Sequence, residues 1–294
     1  MLLNFLRLMK GLKNNILCAA GAAILTSASV HGAALINESF DYTAGDNLNG
    51  KGPATGVANA WTAENYGLES GSLTFGSLQT SGNKARWNPG DNGAGTGGGY
   101  NLTAAGIDSS LSNAGLLDNS NSLWFSFVHR MDATGGSFNF ALAADPYTGN
   151  NSSIGEGVGV EFNGSGAAIA TFYNGGTLGA DTASNNTFGV GVTQLFVGRI
   201  DWSTGSGVAD TLTLFAPGTD LDLTGHEIST ASADFDQTQF DTLTTNKRRE
   251  GANSYDEIRF GASYADVSPV PEPSSFALIA ICLSSLSLLR RRRM

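Results

Sequence analysis

Between residues 34 and 268, apolar and polar positions repeatedly alternate with a period of two, and no long stretch shows the 3.6-residue period of an amphipathic helix. Residues 137–142 (SFNFAL) show the alternation well: Phe138, Phe140 and Leu142 fall on one face of an extended chain. The clearest strands are expected at 123–130 (LWFSFVHR), 137–143, 157–162, 167–173, 195–202 (LFVGRIDW), 211–216 and 255–261 (YDEIRFG), with weaker ones at 34–40 and 73–78. Segment 195–202 is apolar on both faces for part of its length, as in the depth of a sandwich. Clusters of Gly, Ser, Thr, Asn and Asp separate these runs, and 89–99 (PGDNGAGTGGG) reads as a loop. About ten short strands without a helical pattern predict an all-β fold, an antiparallel β-sandwich or jelly roll.

Both ends break the pattern. Residues 1–13 carry Arg7, Lys10 and Lys13 and no acid; an apolar stretch from Ile16 to Leu25 and small residues up to Ala34 follow. This is the organisation of a secretory signal peptide, expected over 1–33 as a helix removed by signal peptidase. At the other end, Val270, Pro271, Glu272 and Pro273 precede an uncharged apolar run, 276–289, and then Arg290, Arg291, Arg292 and Arg293. The prolines hold the chain extended. As a helix the apolar run would be about 21 Å long, short of a comfortable bilayer crossing of ~30 Å. With the arginines snorkelling it is a thin transmembrane helix whose cationic stop stays cytoplasmic, leaving the sandwich outside.

Val-Pro-Glu-Pro, a short apolar helix and a terminal arginine cluster, in that order, resemble the PEP-CTERM sorting signal of Gram-negative bacteria. The resemblance covers residues 269–294 and implies export and processing by an exosortase-type membrane protease, in the company of extracellular polysaccharide and biofilm matrix. The same tag is also described as a C-terminal domain of ice-binding-type proteins, but no regular Thr ladder accompanies it here.

Setting both ends aside leaves about 235 residues, 34–268, with 9 basic and 25 acidic side chains and hence a formal net charge of −16. Such a domain repels nucleic acid; divalent cations and neutral polymers are better suited partners. Cys18 and Cys282 both lie in the end segments, so the domain has no thiol, no disulfide and no Cys-based metal site. With His129 and His226 its only histidines, a His-rich zinc site is not expected.

The opening 35–42 (LINESFDY), the middle 195–202 with 210–215 (DTLTLF), and the closing 255–261 resemble concanavalin A-like, laminin-G-type jelly rolls of exported bacterial proteins. That family includes lectins, glycan hydrolases and adhesion modules, so the resemblance implies a fold and leaves function to the site. A retaining glycosidase of this class carries Glu-x-Asp-x-x-Glu on one strand, because retention needs two carboxylates ~5.5 Å apart. The spacing does not occur here. Glu156 and Glu161 fall on opposite strand faces, adjacent Asp256 and Glu257 are expected to diverge, and Glu257 with Arg259 reads as a surface ion pair, as does Arg199 with Asp201. His129 reads as a strand-edge residue rather than a base. The expectation is therefore a non-catalytic module that binds carbohydrate or matrix, with a polysaccharide hydrolase or lyase and a purely structural matrix protein as alternatives.

Sugar binding needs an exposed aromatic beside polar groups. Trp61, Trp87 and Tyr100 are the foremost candidates, with Tyr66, Tyr147 and Tyr173 behind them, whereas Trp124 and Trp202 lie in strong strands and are expected in the core. For Ca2+, the candidate loop carboxylates are Asp41 with Asp46, and Asp220 with Asp222; Asp91 with Asn92 is a further pair.

Overall fold

The period-two alternation is realised as paired strands whose apolar faces meet. The computed structural model describes residues 33–63, 66–87, 100–134, 137–144, 156–174, 177–180, 186–248 and 252–270. Fifteen strands occur among them: β1 (Ile36–Glu38), β2 (Thr62–Ala63), β3 (Tyr66–Glu69), β4 (Lys84–Trp87), β5 (Tyr100–Ala105), β6 (Ser122–Met131), β7 (Ser137–Ala143), β8 (Glu156–Phe162), β9 (Ala168–Asn174), β10 (Thr177–Ala180), β11 (Thr193–Asp201), β12 (Asp210–Phe215), β13 (Glu227–Ala233), β14 (Thr242–Arg248) and β15 (Asn253–Gly261). Two short helices, α1 (Asp108–Asn113) and α2 (Tyr264–Val267), and a 3-10 turn, Gln237–Gln239, complete them.

All pairings between strands are antiparallel. One sheet runs β13-β12-β11-β6-β15-β4-β3, with β1 also on β15; the other runs β10-β9-β8-β7-β14-β5-β2. Phe125 and Phe127 of β6 meet Phe140 of β7 across the interface, the latter pair with ring centroids 4.2 Å apart, and these rings belong to one buried cluster drawn from both sheets. The fold is thus the expected antiparallel β-sandwich. Gly198 of β11 is part of how it closes, because a Cβ there would lie 2.1 Å from the Phe125 ring.

The strong strands appear within two residues of the expected ends, and β11 does turn apolar residues to both sides. Phe196 and Ile200 enter the inter-sheet core, while Leu195 and Val197 join a second cluster on the outer face. The strand expected at 73–78 is instead a loop. Gly76 adopts φ +51° so close to the Thr219 carbonyl that a Cβ would clash, and the Leu73 N–H binds the Asp256 carboxylate instead of a ladder partner. Leu73, Phe75 and Leu78 still bury themselves, as a cover over the second cluster.

β15 changes neighbours midway along one edge. Asn253 to Tyr255 pair with β4, and Ile258 to Phe260 pair with β1. Between them its pairing with β6 slips, and Glu257 takes φ +53°. This β-bulge inserts an extra residue, so Asp256, Glu257 and Arg259 all address the outer side of the sheet. The divergence expected of adjacent Asp256 and Glu257 is therefore reversed: the Ser72 hydroxyl lies 2.6 Å from Asp256 Oδ2 and 3.5 Å from Glu257 Oε1.

Among the described residues no helix is long and apolar enough to cross a membrane. The expected signal helix over 1–33, apart from Ala33 itself, and the apolar run 276–289 lie outside the described residues, as do loop 89–99, Asp91, Asn92 and Tyr147.

Candidate functional site

Of the expected aromatic platforms, Trp61, Tyr66 and Tyr173 are core. Trp61 is 2% exposed, stacks near Phe40, and donates its Nε1–H to Glu38 Oε2 at 2.6 Å. Tyr66 and Tyr173 are buried too. The polar sequence around Trp61 suggested a surface ring; the carboxylate that satisfies its indole comes from 23 residues upstream. Trp87 ends β4 and Tyr100 begins β5, and their side chains lie outside the described residues. Trp124, expected in the core, is instead on the outer face of its sheet and only partly buried. It packs near Phe215 and Tyr264, with the Arg199 guanidinium 5.7 Å from its ring centroid. Trp202 is core as expected, its Nε1–H bonded to the Leu116 carbonyl at 2.6 Å.

Of the candidate calcium ligands, Asp46 serves an ion pair and Asp220 and Asp222 serve turns. Asp46 Oδ2 lies 2.5 Å from Lys51 Nζ. Asp220 Oδ1 accepts the Asp222 N–H at 3.3 Å, and Asp222 Oδ1 accepts the Thr224 N–H at 2.9 Å; the Thr224 bonds hold the exposed Asp222 carboxyl below its ordinary pKa. Asp41 is exposed. Among the described residues no group of three or more His, Cys, Asp or Glu is placed to hold a metal ion.

Glu257 and Arg259 form an ion pair, but a buried one, with side chains 1% and 5% exposed. Arg199 and Asp201 pair at 2.8 Å on the surface, as expected. His129 is not at a strand edge. It lies inside, between Phe138 and Phe162, with Nε2 3.1 Å from Asn253 Oδ1, beside a cavity of about 10 Å³.

Burial is the main cause that lowers the His129 pKa to about 4. Its folded pKa is depressed below the unfolded value, so the imidazole supports folding fully above pH ~6.5 and loses that support as pH falls toward 4. The loss amounts to about 3 kcal/mol. His129→Phe is expected to remove this acid-side slope in urea titrations between pH 4 and 7; an unchanged slope would place the titrating group elsewhere.

The open polar cleft lies at one end of the sandwich. It has a volume of about 360 Å³, within the range of small-ligand sites, and is built from the loop after α1, the β11–β12 loop and the segment between β13 and β14. Asp210, 1% exposed at the start of β12, organises two of these loops: Oδ1 accepts the Ser203 N–H at 2.7 Å and Oδ2 the Phe235 N–H at 3.1 Å. Buried Gln237 ties in the third by donating Nε2–H to Asn119 Oδ1 at 2.7 Å. Asp234 Oδ2 accepts the Gly207 N–H at 2.9 Å, and Asp236 Oδ1 caps the 3-10 turn through Thr238. Phe235 stands partly exposed, backed by Phe172 and Phe240 at 5.4 and 5.8 Å.

The described lining contains Asp234 and Asp236 and no Lys, Arg or His. It can accept hydroxyl hydrogens, donate through amides and hydroxyls, and offer an aromatic edge to C–H groups, but it repels anions. The loop 234–238 (DFDQT), an aromatic between two acids, was the one available sequence signal; the distant Asn119 and Ser203 gave none.

Residues 269–293 match the PEP-CTERM protein-sorting motif, which is the segment expected from the sequence. The chain thus carries the sorting signal of an exported protein processed by exosortase. No curated protein matches this chain. Among solved structures it is similar to the globular domain of T. cruzi calreticulin (12% identity, 88% of this chain and 99% of that one, TM-score 0.44). It is also similar to an endo-β-1,4-glucuronan lyase from the fungus Trichoderma reesei (12%, 79% and 97%, TM-score 0.41). A third is the Bacillus licheniformis β-glucanase (14%, 79% and 99%, TM-score 0.41). These likenesses assign no activity to this chain.

Proposed function

We propose that this protein is an exported, non-catalytic β-sandwich module that binds a neutral polysaccharide outside the cell through the loop-end cleft. The observation that carries the reading is the lining of that cleft: two carboxylates, two amides and hydroxyls around a partly exposed phenylalanine, with no cation among the described residues. Neutral sugars present hydroxyls to such acceptors and C–H faces to such a ring. Uronates and sulfated chains would meet Asp234 and Asp236 unpaired, in a domain already strongly acidic.

The buried carboxylates of β15 are not arranged as a catalytic pair. Asp256 and Glu257 are the adjacent carboxylates with raised pKa values; burial, with the Glu257 charge adding to it, pushes Asp256 up to about 8. Such perturbation is common in active sites. Here, however, both are buried beneath residues 72–81, bound to the Ser72 hydroxyl and the Leu73 and Ser81 amides, with no room for a sugar between them. Export and sorting would then deliver a binding module to the envelope or matrix, anchored at or cleaved from its C-terminal segment.

Purified domain, residues 34–268, is to be titrated calorimetrically with neutral and anionic polysaccharides, with product release followed in parallel. Binding to a neutral polymer is expected, insensitive to salt and to chelation, without products. Phe235→Ala and the pair Asp234→Asn with Asp236→Asn are each expected to weaken it about tenfold or more while leaving the melting temperature within a few degrees. Equal affinity in these variants would mean that the cleft is not the binding site; soluble oligosaccharides would make the protein an enzyme.

A further inference from the structure

The folded sandwich includes the residues that lead into the sorting motif. α2 ends at Val267, and Ser268, Pro269 and Val270 follow before Pro271. Each of them is held. The Val267 carbonyl accepts the Ser126 hydroxyl at 2.6 Å. Ser268 donates both N–H and Oγ–H to the Tyr264 carbonyl, at 3.0 and 2.8 Å. The Pro269 carbonyl accepts the Gln79 N–H at 2.8 Å. Val270 packs on the outer-face cluster beside Tyr264, whose hydroxyl reaches the Leu221 carbonyl at 2.5 Å.

Gln79 is itself fixed from below. Its carbonyl accepts Arg259 Nη2 at 2.6 Å, and the same Nη2 pairs with Glu257, whose other oxygen takes the Ser81 N–H. A continuous set of bonds therefore runs from the β15 bulge, through loop 72–81, to the carbonyl two residues before Pro271. No spacer separates this from the motif.

Proteolytic recognition generally takes an extended strand whose main-chain amides and carbonyls bond to the enzyme. On the upstream side of Pro-Glu-Pro, the Ser268 amide and the Pro269 carbonyl are already used by the domain. An enzyme whose site extends to these residues must therefore wait for them to open. We infer that the sandwich restrains its own sorting motif, and that undocking of Pro269 and Val270 from loop 72–81 is a step in processing. The inference rests on the sorting-motif match and is independent of the polysaccharide reading, because the loop-end cleft shares none of these residues.

The test uses the full chain. A six-residue Gly-Ser insertion between Ser268 and Pro269 keeps Val270 to Pro273 intact but frees them from the domain. In pulse-chase experiments in a host carrying a functional exosortase, the insertion is expected to speed maturation by roughly fivefold, the factor that opening about one hydrogen bond represents. Hydrogen exchange on the unmodified chain is expected to show the Gln79 amide protected, and to show that protection lost on insertion while β6 and β11 amides keep theirs. An unchanged or slower maturation rate with an intact sandwich would overturn the inference. So would a Gln79 amide that exchanges freely in the unmodified chain, whatever the maturation rate.

Discussion

Arg259→Leu is expected to destabilise the sandwich by roughly 3–5 kcal/mol, because it strands the Glu257 carboxylate in a dry site. The Glu257 side chain is 1% exposed, and what remains for it is the Ser81 N–H and a distant Ser72 hydroxyl. The change also removes the donor to the Gln79 carbonyl, so loop 72–81 loses its tie to β15. The cost depends on pH in a definite sense. Burial raises the Glu257 pKa, and the Arg259 charge is the main influence opposing that rise. Without it the folded-state pKa climbs further above the unfolded value, and a carboxyl so shifted contributes stability at low pH that is lost as pH rises through the folded pKa. The destabilisation should therefore be smaller at pH 5 than at pH 8. Asp256, its pKa about 8, adds a slope of the same sign in the wild type, so the comparison is of variant against wild type at each pH. Glu257→Gln combined with Arg259→Leu is expected to recover most of the loss, since glutamine still accepts from Ser81 without a charge to strand. Urea midpoints at the two pH values decide the matter: a loss below 1 kcal/mol at pH 8, or a double variant no better than the single one, would mean that the pair is solvated after all.

The same bulge explains where the sequence stopped being legible. Period-two patterning gave β6, β7 and β11 within two residues because each is long and buries at least one continuous face. It missed β13 (EISTASA) and β14 (TLTTNKR), whose Thr and Ser positions carry little apolar contrast although Leu243 of β14 is fully buried. Pairing with both β5 and β7, not composition, makes β14 a central strand. The parity rule for adjacent side chains placed Asp256 and Glu257 on opposite faces; one inserted residue with positive φ defeats any such rule. The same holds for the aromatics. Trp124 sits among apolar neighbours in its strand but faces outward, and Trp61 sits in a polar segment but faces in. Only the partners, Arg199 for one and Glu38 for the other, decide the direction. The cleft was least legible because its lining is gathered by Asp210 and Gln237 from three separated loops. The sorting motif was most legible because its information is local: prolines, an apolar run and arginines in fixed order.

Trp61→Ala is expected to cost about 3–5 kcal/mol through the cavity left in the core, and somewhat more through the carboxylate it abandons. Glu38 is 3% exposed and anchors the start of the domain: its carboxylate accepts the Trp61 Nε1–H, the Tyr42 hydroxyl at 2.8 Å and the Phe40 N–H at 2.5 Å. Phe40 has φ +50°, an unfavourable conformation for a bulky residue, and the surrounding contacts hold it there. Its ring packs on Trp61 and edge-on against Tyr255, so the indole supports the strained turn twice, through Glu38 and through direct contact. Burial raises the Glu38 pKa, and the Trp61 bond is the strongest influence pulling it back. Trp61→Phe separates the two contributions: the ring contact survives while the donor is lost, for an expected cost of about 1–3 kcal/mol. For a domain of this length, the alanine variant should melt roughly 10 °C or more below the wild type. At a temperature where both variants remain folded, polysaccharide affinity should match the wild type, because Trp61 is far more deeply buried than Phe235 and does not line the cleft. A Trp61→Phe variant with unchanged stability and abolished binding would reverse that assignment and make Trp61 the platform its polar sequence context suggested.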